Sequence, residues 1–231
     1  MNGDLYFVQQ PVGEMANFAY LVGSLETREC LLVDPAWQVG DLLRRAEADD
    51  MRITGALVTH YHPDHVGGAL FGAEIEGLAQ LMAQHPCPVH VNEHEADGLK
   101  RVTGLSEGDL QRHSGGDVLQ LGQLRIRLIH TPGHTPGSQC FLVEQANAPG
   151  RLVSGDTLFL GSCGRVDLPG SDPEAMFHSL HGKLARLPDA TLLFPGHFYA
   201  AEPSGTLGEQ KRANPTLRAA RLEDFLMLMG A

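Results

Sequence analysis

Short runs of apolar residues alternate with polar and Gly/Pro-containing segments along most of this chain. Runs of this length that end in a turn signal are typical of buried strands. The pattern predicts strands at Leu5–Val8, Asn17–Val22, Cys30–Val33, Ile53–Thr59, Val89–Val91, Leu124–Ile129, Cys140–Val143, Leu152–Ser154 and Thr191–Phe194. These strands are expected to form the interior of the fold.

Helical periodicity appears between the strands. Val39–Met51 carries Leu42, Leu43 and Ala46 at helical spacing among charged residues, which is typical of an amphipathic helix. The spacing also predicts helices at Leu70–His85, Glu93–Arg101, Ser106–His113, Pro173–Leu187 and Leu217–Met229. Because no linker interrupts this alternation, we expect a single α/β domain over residues 1–231. Two sheets packed face to face, with helices outside, would gather the strand ends on one edge.

Composition fits an ordinary globular protein and disfavours some partners. The chain has 231 residues, of which 42% are hydrophobic and 19% are charged, so it can bury a substantial core. A net charge of −11 without a basic run disfavours a nucleic-acid or anionic-membrane partner. The sequence begins without a signal-peptide pattern and contains no apolar run long enough to span a bilayer. A cytoplasmic location with reduced cysteines is therefore expected.

Side chains that bind metals are concentrated directly after the strand predicted at Ile53–Thr59. His60 and His62 are two residues apart, so in an extended chain they project to the same side. Pro63 turns the backbone, and Asp64 and His65 follow at once. Imidazole and carboxylate groups suit zinc, iron or manganese better than a soft, thiolate-seeking ion.

Three later strands also end in metal-binding side chains. His134 and His197 each follow a Pro-Gly pair, which presents the imidazole on a rigid turn, and Asp156 follows the strand at Leu152–Ser154. Ligands in α/β folds collect beyond the carboxyl ends of strands, so these side chains are expected to meet the histidine loop. The candidates are enough for two ions that share the Asp156 carboxylate. They are His60, His62, Asp64, His65, His134, Asp156 and His197.

Four motifs together resemble the metallo-β-lactamase superfamily. They are Thr-His-Tyr-His-Pro-Asp-His at 59–65, Thr-Pro-Gly-His-Thr-Pro-Gly-Ser at 131–138, Ser-Gly-Asp-Thr-Leu-Phe at 154–159 and Phe-Pro-Gly-His at 194–197. Within the superfamily the chain looks like the glyoxalase II-type proteins (hydroxyacylglutathione hydrolases) and their relatives, the persulfide dioxygenases. The resemblance extends from about Phe18 to Leu217. It implies a four-layer αββα sandwich of two mixed β-sheets flanked by helices.

The resemblance to the hydrolases also implies how the ligands divide between two divalent ions. One ion takes His60, His62 and His134, the other takes Asp64, His65 and His197, and Asp156 bridges them. Zinc is expected, with iron or manganese as alternatives. A hydroxide shared by the two ions attacks the thioester carbonyl, and Asp64 also orients this nucleophile. Because no side-chain nucleophile is needed, Ser162 and Cys163 are not candidates.

The expected substrate is a small acyl thiol. The resemblance places Arg165 and Tyr199 where the hydrolases contact the glutathione portion, and Lys211 or Arg212 is a further candidate cation for a carboxylate.

The chain departs from the larger glyoxalase II enzymes after His197. Few residues follow, so no separate C-terminal substrate domain is expected. Another acyl thiol or a lactone-like ester therefore stays open as the substrate, and the segment from Gly72 to His113 is expected to line the cleft instead. A homodimer through an apolar stripe also stays open. The stripe consists of Leu222, Phe225, Leu226 and Met229.

Two other functions stay open at this point. The persulfide dioxygenases hold one iron through residues that match His60, His134 and Asp156, the two-histidine, one-carboxylate arrangement. Pro63, the Gly67-Gly68 pair and the sequence 165–170 look more like the hydrolases, so we favour hydrolysis. A non-catalytic metal-binding relative is the third possibility, and the complete ligand set argues against it.

Overall fold

Two six-stranded sheets form the centre of the computed structural model, which describes residues 3–231. Its strands are Leu5–Val12 (β1), Asn17–Ser24 (β2), Glu29–Val33 (β3), Arg52–Leu57 (β4), Gly68–Leu70 (β5), Ala73–Ile75 (β6), Val89–Asn92 (β7), Leu110–His113 (β8), Val118–Leu121 (β9), Leu124–His130 (β10), Gln139–Glu144 (β11), Arg151–Gly155 (β12), Leu192–Pro195 (β13) and Gly205–Thr206 (β14). The first sheet has the order β1-β2-β3-β4-β7-β8 and the second β14-β13-β12-β11-β10-β9, while β5 and β6 form a separate hairpin.

Both sheets are mixed. In the first, β3, β4, β7 and β8 run parallel, and β1 and β2 are antiparallel additions. In the second, only β12 and β13 are parallel. Each half of the chain therefore supplies one sheet. The predicted pair of packed mixed sheets is confirmed.

Helices follow many of the strands, and the longer ones cover the outer face of each sheet. They are Val39–Ala48 (α1), Pro63–Val66 (α2), Leu78–Gln84 (α3), Ala96–Thr103 (α4), Pro173–Gly182 (α5), Leu207–Ala213 (α6), Pro215–Arg218 (α7) and Leu222–Met229 (α8). The helices α1, α3 and α4 pack on the first sheet through Leu42, Leu81 and Leu99. The helices α5 and α8 pack on the second sheet through Met176 and Phe225. The four-layer αββα order is therefore confirmed.

The inner core lies between the two sheets. It is made of large apolar side chains that alternate with outward-facing positions along each strand, among them Tyr20, Leu57, Ile126 and Phe141, all of them essentially inaccessible to water. Burial of such side chains contributes about 1.5–3 kcal/mol each relative to exposure. This layer fixes the two sheets against each other and so fixes the distance between their strand ends.

Three predicted helices differ from the structure. The segment predicted as one helix from Leu70 begins as the β5–β6 hairpin, and helix starts only at Leu78. The segment 106–113, also predicted helical, has one 3₁₀ turn and then β8, which pairs with β7 at the sheet edge. The terminal helix is broken into α7 and α8. Phe225 and Met229 of the apolar stripe pack into the outer core, and a homodimer stays a prediction.

Over residues 3–231, none of the helices has the length and apolar character needed to cross a bilayer.

Candidate metal centre

The seven predicted ligands meet at one edge of the sandwich, beyond the carboxyl ends of the strands. His60 follows β4, Asp156 follows β12 and His197 follows β13, while His134 lies in the turn after β10. Pro63 opens the short helix α2, so the His62 backbone stays extended while Asp64 and His65 turn inward. The position of each ligand thus follows from the strand or turn that precedes it.

His60, His62 and His134 form one potential ligand group. One ring nitrogen from each lies within 4.8 Å of the other two. The Nδ1 of His62 is 3.0 Å from the Nε2 of His134. Ligand atoms on a tetrahedral zinc ion with bonds of about 2.0–2.1 Å are separated by roughly 3.3 Å. The spacing of these imidazoles therefore fits a shared ion.

Asp64, His65 and His197 form the second group. The Oδ2 atom of Asp64 lies 3.4 Å from the Nε2 of His65 and 3.3 Å from the Nε2 of His197. The two imidazole nitrogens are 3.2 Å apart. Three ligand atoms at these distances also match one tetrahedral ion.

Asp156 stands between the two groups. Its Oδ1 is 3.4 Å from the Nε2 of His65, and its Oδ2 is 3.6 Å from the Nε2 of His134 and 3.4 Å from that of His197. The chain allows this approach at Gly196, where a Cβ atom would lie 2.5 Å from Asp156 Oδ1. One carboxylate therefore contacts ligands of both groups, as expected of a bridge.

Two buried polar atoms without hydrogen-bond partners indicate that a cation fits the centre. The Oδ1 of Asp156 and the Nε2 of His60 are buried and have no hydrogen-bond partner anywhere in 3–231. A buried polar atom left unpaired costs about 1–3 kcal/mol, so such atoms are rare without a ligand. Both atoms face the centre, where a divalent cation would satisfy them. The donor set, imidazole with carboxylate, suits zinc, iron or manganese.

Three of the imidazoles are also held from outside the centre through Nδ1. The Nδ1 of His134 donates to the carbonyl of Arg165, and the Nδ1 of His197 donates to the carbonyl of Met15, both over 2.9 Å. His60 contacts the hydroxyl of Thr59 through Nδ1 at 3.0 Å. These contacts direct each Nε2 lone pair toward the centre, the usual role of groups around a metal site.

Asp34 supports the centre, although sequence reasoning did not identify it. Its carboxylate accepts hydrogen bonds from the amide and the hydroxyl of Thr59, at 2.8 and 2.5 Å, and lies 3.0 Å from the Nδ1 of His65. Asp34, His60 and His65 also form a third cluster of potential ligands. Because Asp34 meets the outer nitrogen of His65, we assign it a positioning role rather than a place among the ligands. The only sequence signal was its position directly after a buried strand.

Glu95 links the two histidine loops and was also missed. Its fully buried carboxylate accepts hydrogen bonds, each of 2.7 Å, from the amide of Tyr61, the hydroxyl of Thr135 and the amide of Gly137. Burial raises the pKa of Glu95 to about 7, although the three hydrogen bonds act to lower it. The carboxylate thereby fixes the loop of His62 relative to the turn of His134.

The carboxyl groups of the centre are ionised. Burial alone would raise the pKa of Asp64, but His65 and the hydrogen bonds from His197 and Asn17 hold it well below its ordinary value. Burial alone would also raise the pKa of Asp156. The charges of His65 and His197 outweigh this effect and hold the pKa of Asp156 well below its ordinary value. Anionic carboxylates are the form that binds a cation.

Four of the imidazoles divide into two classes by the direction in which their pKa is shifted. Burial and neighbouring histidines lower the pKa of His60 well below its usual range and that of His62 to about 4, so both are neutral and ready to bind metal. Burial would also lower the pKa of His65 and His197, but the carboxylates raise the first well above its ordinary value and the second to about 9. Metal binding at the second group must therefore displace protons.

A cleft of about 450 Å³ opens onto the centre. Arg165 and Tyr199, the predicted substrate contacts, both line it. The Tyr199 ring stacks on His197 with centroids 4.7 Å apart, and burial followed by the charges of Asp156 and Asp64 raises its pKa to about 12. The hydroxyl of Tyr199 is therefore a neutral hydrogen-bond donor beside the metal ligands.

Two other expectations about the cleft differ from the structure, and one agrees with it. Lys211 is directed to Asp189 and the carbonyl of Leu187, and neither it nor Arg212 is among the cleft-lining residues within 3–231. The segment from Gly72 to His113 contributes none of the lining side chains found over that range; the tip of the β5–β6 hairpin takes that place. Burial raises the pKa of the Cys163 thiol to about 12, which agrees with its exclusion as a nucleophile.

Comparisons with known proteins extend across most of the chain. Residues 12–197 match the family model of the metallo-beta-lactamase superfamily. Hydroxyacylglutathione hydrolase GloC of Haemophilus influenzae is 30% identical over 203 residues, covering 84% of this chain and 90% of the relative. The mitochondrial persulfide dioxygenase ETHE1 of Homo sapiens is 28% identical over 218 residues, covering 92% and 76%. The crystal structure of TTHA1623 in a di-iron-bound form superimposes with a TM-score of 0.70 at 32% identity, covering 91% and 100%.

These matches agree with the four-layer sandwich and with the cluster of histidines and aspartates at its edge. The relatives include a hydrolase and a dioxygenase, so the shared property is a metal-dependent enzyme. The chain belongs to the metallo-β-lactamase superfamily.

Proposed function

We propose that this protein hydrolyses thioesters with the help of two divalent metal ions. The observation that supports this proposal is the second ligand group, in which Asp64, His65 and His197 already converge within 4.8 Å. A single ion held by His60, His134 and Asp156 would leave these three side chains without a metal to bind. The similarity to GloC, a hydroxyacylglutathione hydrolase, points the same way.

His60, His62 and His134 would hold one ion, Asp64, His65 and His197 the other, and Asp156 both. Bound ions would supply two effects, a lower pKa of a bound water and polarisation of the substrate carbonyl. Zinc is the expected metal, and iron is an alternative because a similar structure contains two irons.

The chain's own residues position the reactants. The contacts of the Asp64 carboxylate with Asn17, His65 and His197 all involve Oδ2, so Oδ1 is available to accept a hydrogen bond from the attacking water at the cleft. The Tyr199 hydroxyl would donate a hydrogen bond to the substrate, since both Tyr199 and Arg165 line the cleft. Water adds to the thioester carbonyl, the carbon–sulfur bond breaks, and the products are a carboxylate, a thiol and one proton released to solvent.

A second candidate function is oxidation of a persulfide at a single iron. His60 and Asp156 contribute the two unpaired atoms of the centre, and with His134 they form a two-histidine, one-carboxylate set. The relative ETHE1, a persulfide dioxygenase, supports this alternative.

Metal content and activity of one preparation separate the two functions. The protein is purified without added metal, its metals are determined per chain, and it is assayed with S-lactoylglutathione, S-acetyl-N-acetylcysteamine and glutathione persulfide. We expect about two zinc-class ions and thiol release from at least one thioester. One iron per chain with oxygen consumption on the persulfide would replace the hydrolase by the dioxygenase. A metal-loaded protein inert toward all three compounds would refute both.

A further inference from the structure

We propose that the cleft selects substrates carrying an uncharged, apolar chain, and that the Phe71 side chain covers this chain. The inference rests on the proposed hydrolase function and narrows its substrate class. It depends on the conformation of the β5–β6 hairpin, on the walls of the cleft and on its charge.

Phe71 stands at the tip of the hairpin with unusual exposure and backbone geometry. Its side chain is 95% exposed, and its φ of 50° lies in the left-handed region that glycine or asparagine normally occupies in such a turn. A bulky residue there costs about 1–3 kcal/mol in backbone strain. Packing in the core does not offset this strain, because the ring is almost entirely in solvent. The ring does line the mouth of the cleft that leads to the metal centre.

The wall of the cleft continues this apolar surface inward. Leu70, next to Phe71 on the hairpin, also lines the cleft, as do Phe159, Leu168 and Met15. Phe159 is buried and packs edge-on against Tyr199, with ring centroids 5.4 Å apart. An alkyl or aryl chain attached to the reacting carbonyl or thiol would therefore leave water on entering the cleft.

The charge of the cleft argues against an anionic substrate. Apart from the histidines, Arg165 is the one cationic side chain among the lining residues that the structure describes. The carboxylate of Asp167 accepts two hydrogen bonds of 2.9 Å from the guanidinium of Arg165, one from Nε and one from Nη2. The net charge of the chain is −11. A thiol with two free carboxylates would thus find no unpaired lysine or arginine in this cleft, whereas a neutral chain needs none.

The test compares N-acetylcysteamine thioesters with acetyl, butanoyl and octanoyl groups, which share one neutral thiol. S-lactoylglutathione serves as the anionic comparison. Wild type, Phe71→Ser and Met227→Ser are assayed as metal-loaded full-length proteins. Met227 is the matched control, since it is also an exposed apolar side chain, 81% accessible, and is not among the residues that line the cleft.

We expect kcat/KM of the wild type to rise at least roughly tenfold from acetyl to octanoyl, because one fully buried methylene is worth about fourfold. The octanoyl thioester should also exceed S-lactoylglutathione. Phe71→Ser should reduce the octanoyl-to-acetyl ratio at least about threefold, and Met227→Ser should leave it unchanged. Rates that do not depend on chain length, or a ratio that is equal in wild type and Phe71→Ser, would overturn the inference.

A binding measurement separates this inference from the proposed function. The thioether S-octyl-N-acetylcysteamine cannot be hydrolysed, and calorimetry gives its affinity for the same three proteins. Weaker binding to Phe71→Ser than to wild type, with no thioester cleaved by either, would refute the hydrolase and retain the apolar site. Thioester cleavage with equal thioether affinity in both proteins would refute the role of Phe71 and retain the hydrolase.

Discussion

The carboxylate of Asp34 contacts the Nδ1 of His65 at 3.0 Å, although the two residues are 31 positions apart. The same carboxylate accepts two hydrogen bonds from Thr59, whose hydroxyl contacts His60. One buried aspartate outside the ligand set thus orients one imidazole from each ligand group. Its removal is expected to affect both ions.

Asp34→Ala should therefore weaken metal binding about 10–100-fold, as is usual when the outer partner of a metal-binding histidine is lost. Competition with a chromophoric chelator measures the dissociation constants of both ions. Asp41→Ala is the control, because Asp41 is an exposed carboxylate paired with Arg44 on α1. Unchanged affinities in Asp34→Ala would show that the ligand loops hold their imidazoles without this contact.

The stability of the fold should depend on the titration of Glu95. Its pKa in the folded protein is raised to about 7 from 4.5, first by burial, so the folded state holds this proton more tightly than the unfolded chain does. The stability contributed by this difference is complete below the unfolded pKa and is lost as pH rises through about 7. Between pH 4.5 and 8 we expect wild type to lose roughly 3 kcal/mol of unfolding free energy relative to Glu95→Gln.

Urea unfolding of both proteins at a series of pH values tests this expectation. Contributions of the metal ligands are common to the two proteins and cancel in the difference. A difference that is constant with pH would mean that Glu95 has the same pKa in the folded and unfolded states.

Trp37 should report on the occupancy of the second ligand group. Its indole Nε1 donates a 3.0 Å hydrogen bond to the backbone carbonyl of Asp64, and it is the only tryptophan of the chain. Removal of metal with a chelator should shift its fluorescence emission, and added Zn²⁺ should restore it. Asp64→Asn should weaken the response at a given Zn²⁺ concentration. An emission spectrum independent of metal in wild type would contradict the coupling.

The pairing of Arg165 with Asp167 should limit the use of anionic substrates. Both side chains are about two-thirds exposed, so the pair is weak and the guanidinium can be released by a single change. Asp167→Asn should raise kcat/KM for S-lactoylglutathione by about threefold and leave that for S-acetyl-N-acetylcysteamine unchanged. Arg165→Gln combined with Asp167→Asn should abolish the gain. An equal effect on both substrates would indicate a structural effect of Asp167 rather than a charge effect.

The positions of the candidate ligands were predictable from sequence because their geometry is local. His60, His134 and His197 each follow an apolar strand, and a Pro-Gly turn presents the latter two, so a few neighbouring residues determine where the imidazole points. The supporting residues could not be found in this way. Asp34 meets His65 and Glu95 meets Thr135 only after strands far apart in sequence are packed, and an isolated acidic residue carries no signal of such a contact.

The errors in secondary structure have a similar origin. Leu70 and the leucines that follow share a helical spacing, but Gly67 and Gly68 have positive φ and lead the chain into the β5–β6 hairpin. The β8 strand forms because β7 offers it an edge, and this tertiary pairing overrides the local helical spacing around Leu110.

The hydrogen bond from His197 to the carbonyl of Met15 spans 182 positions of the chain. During synthesis on a ribosome, the first four ligands leave the exit tunnel long before His197 is translated. Until then the nascent chain presents an incomplete chelate whose last imidazole and anchoring carbonyl are not yet joined. Under the proposed two-metal function, the second cation would therefore be held by all of its side chains only after His197 has been translated and has met Met15.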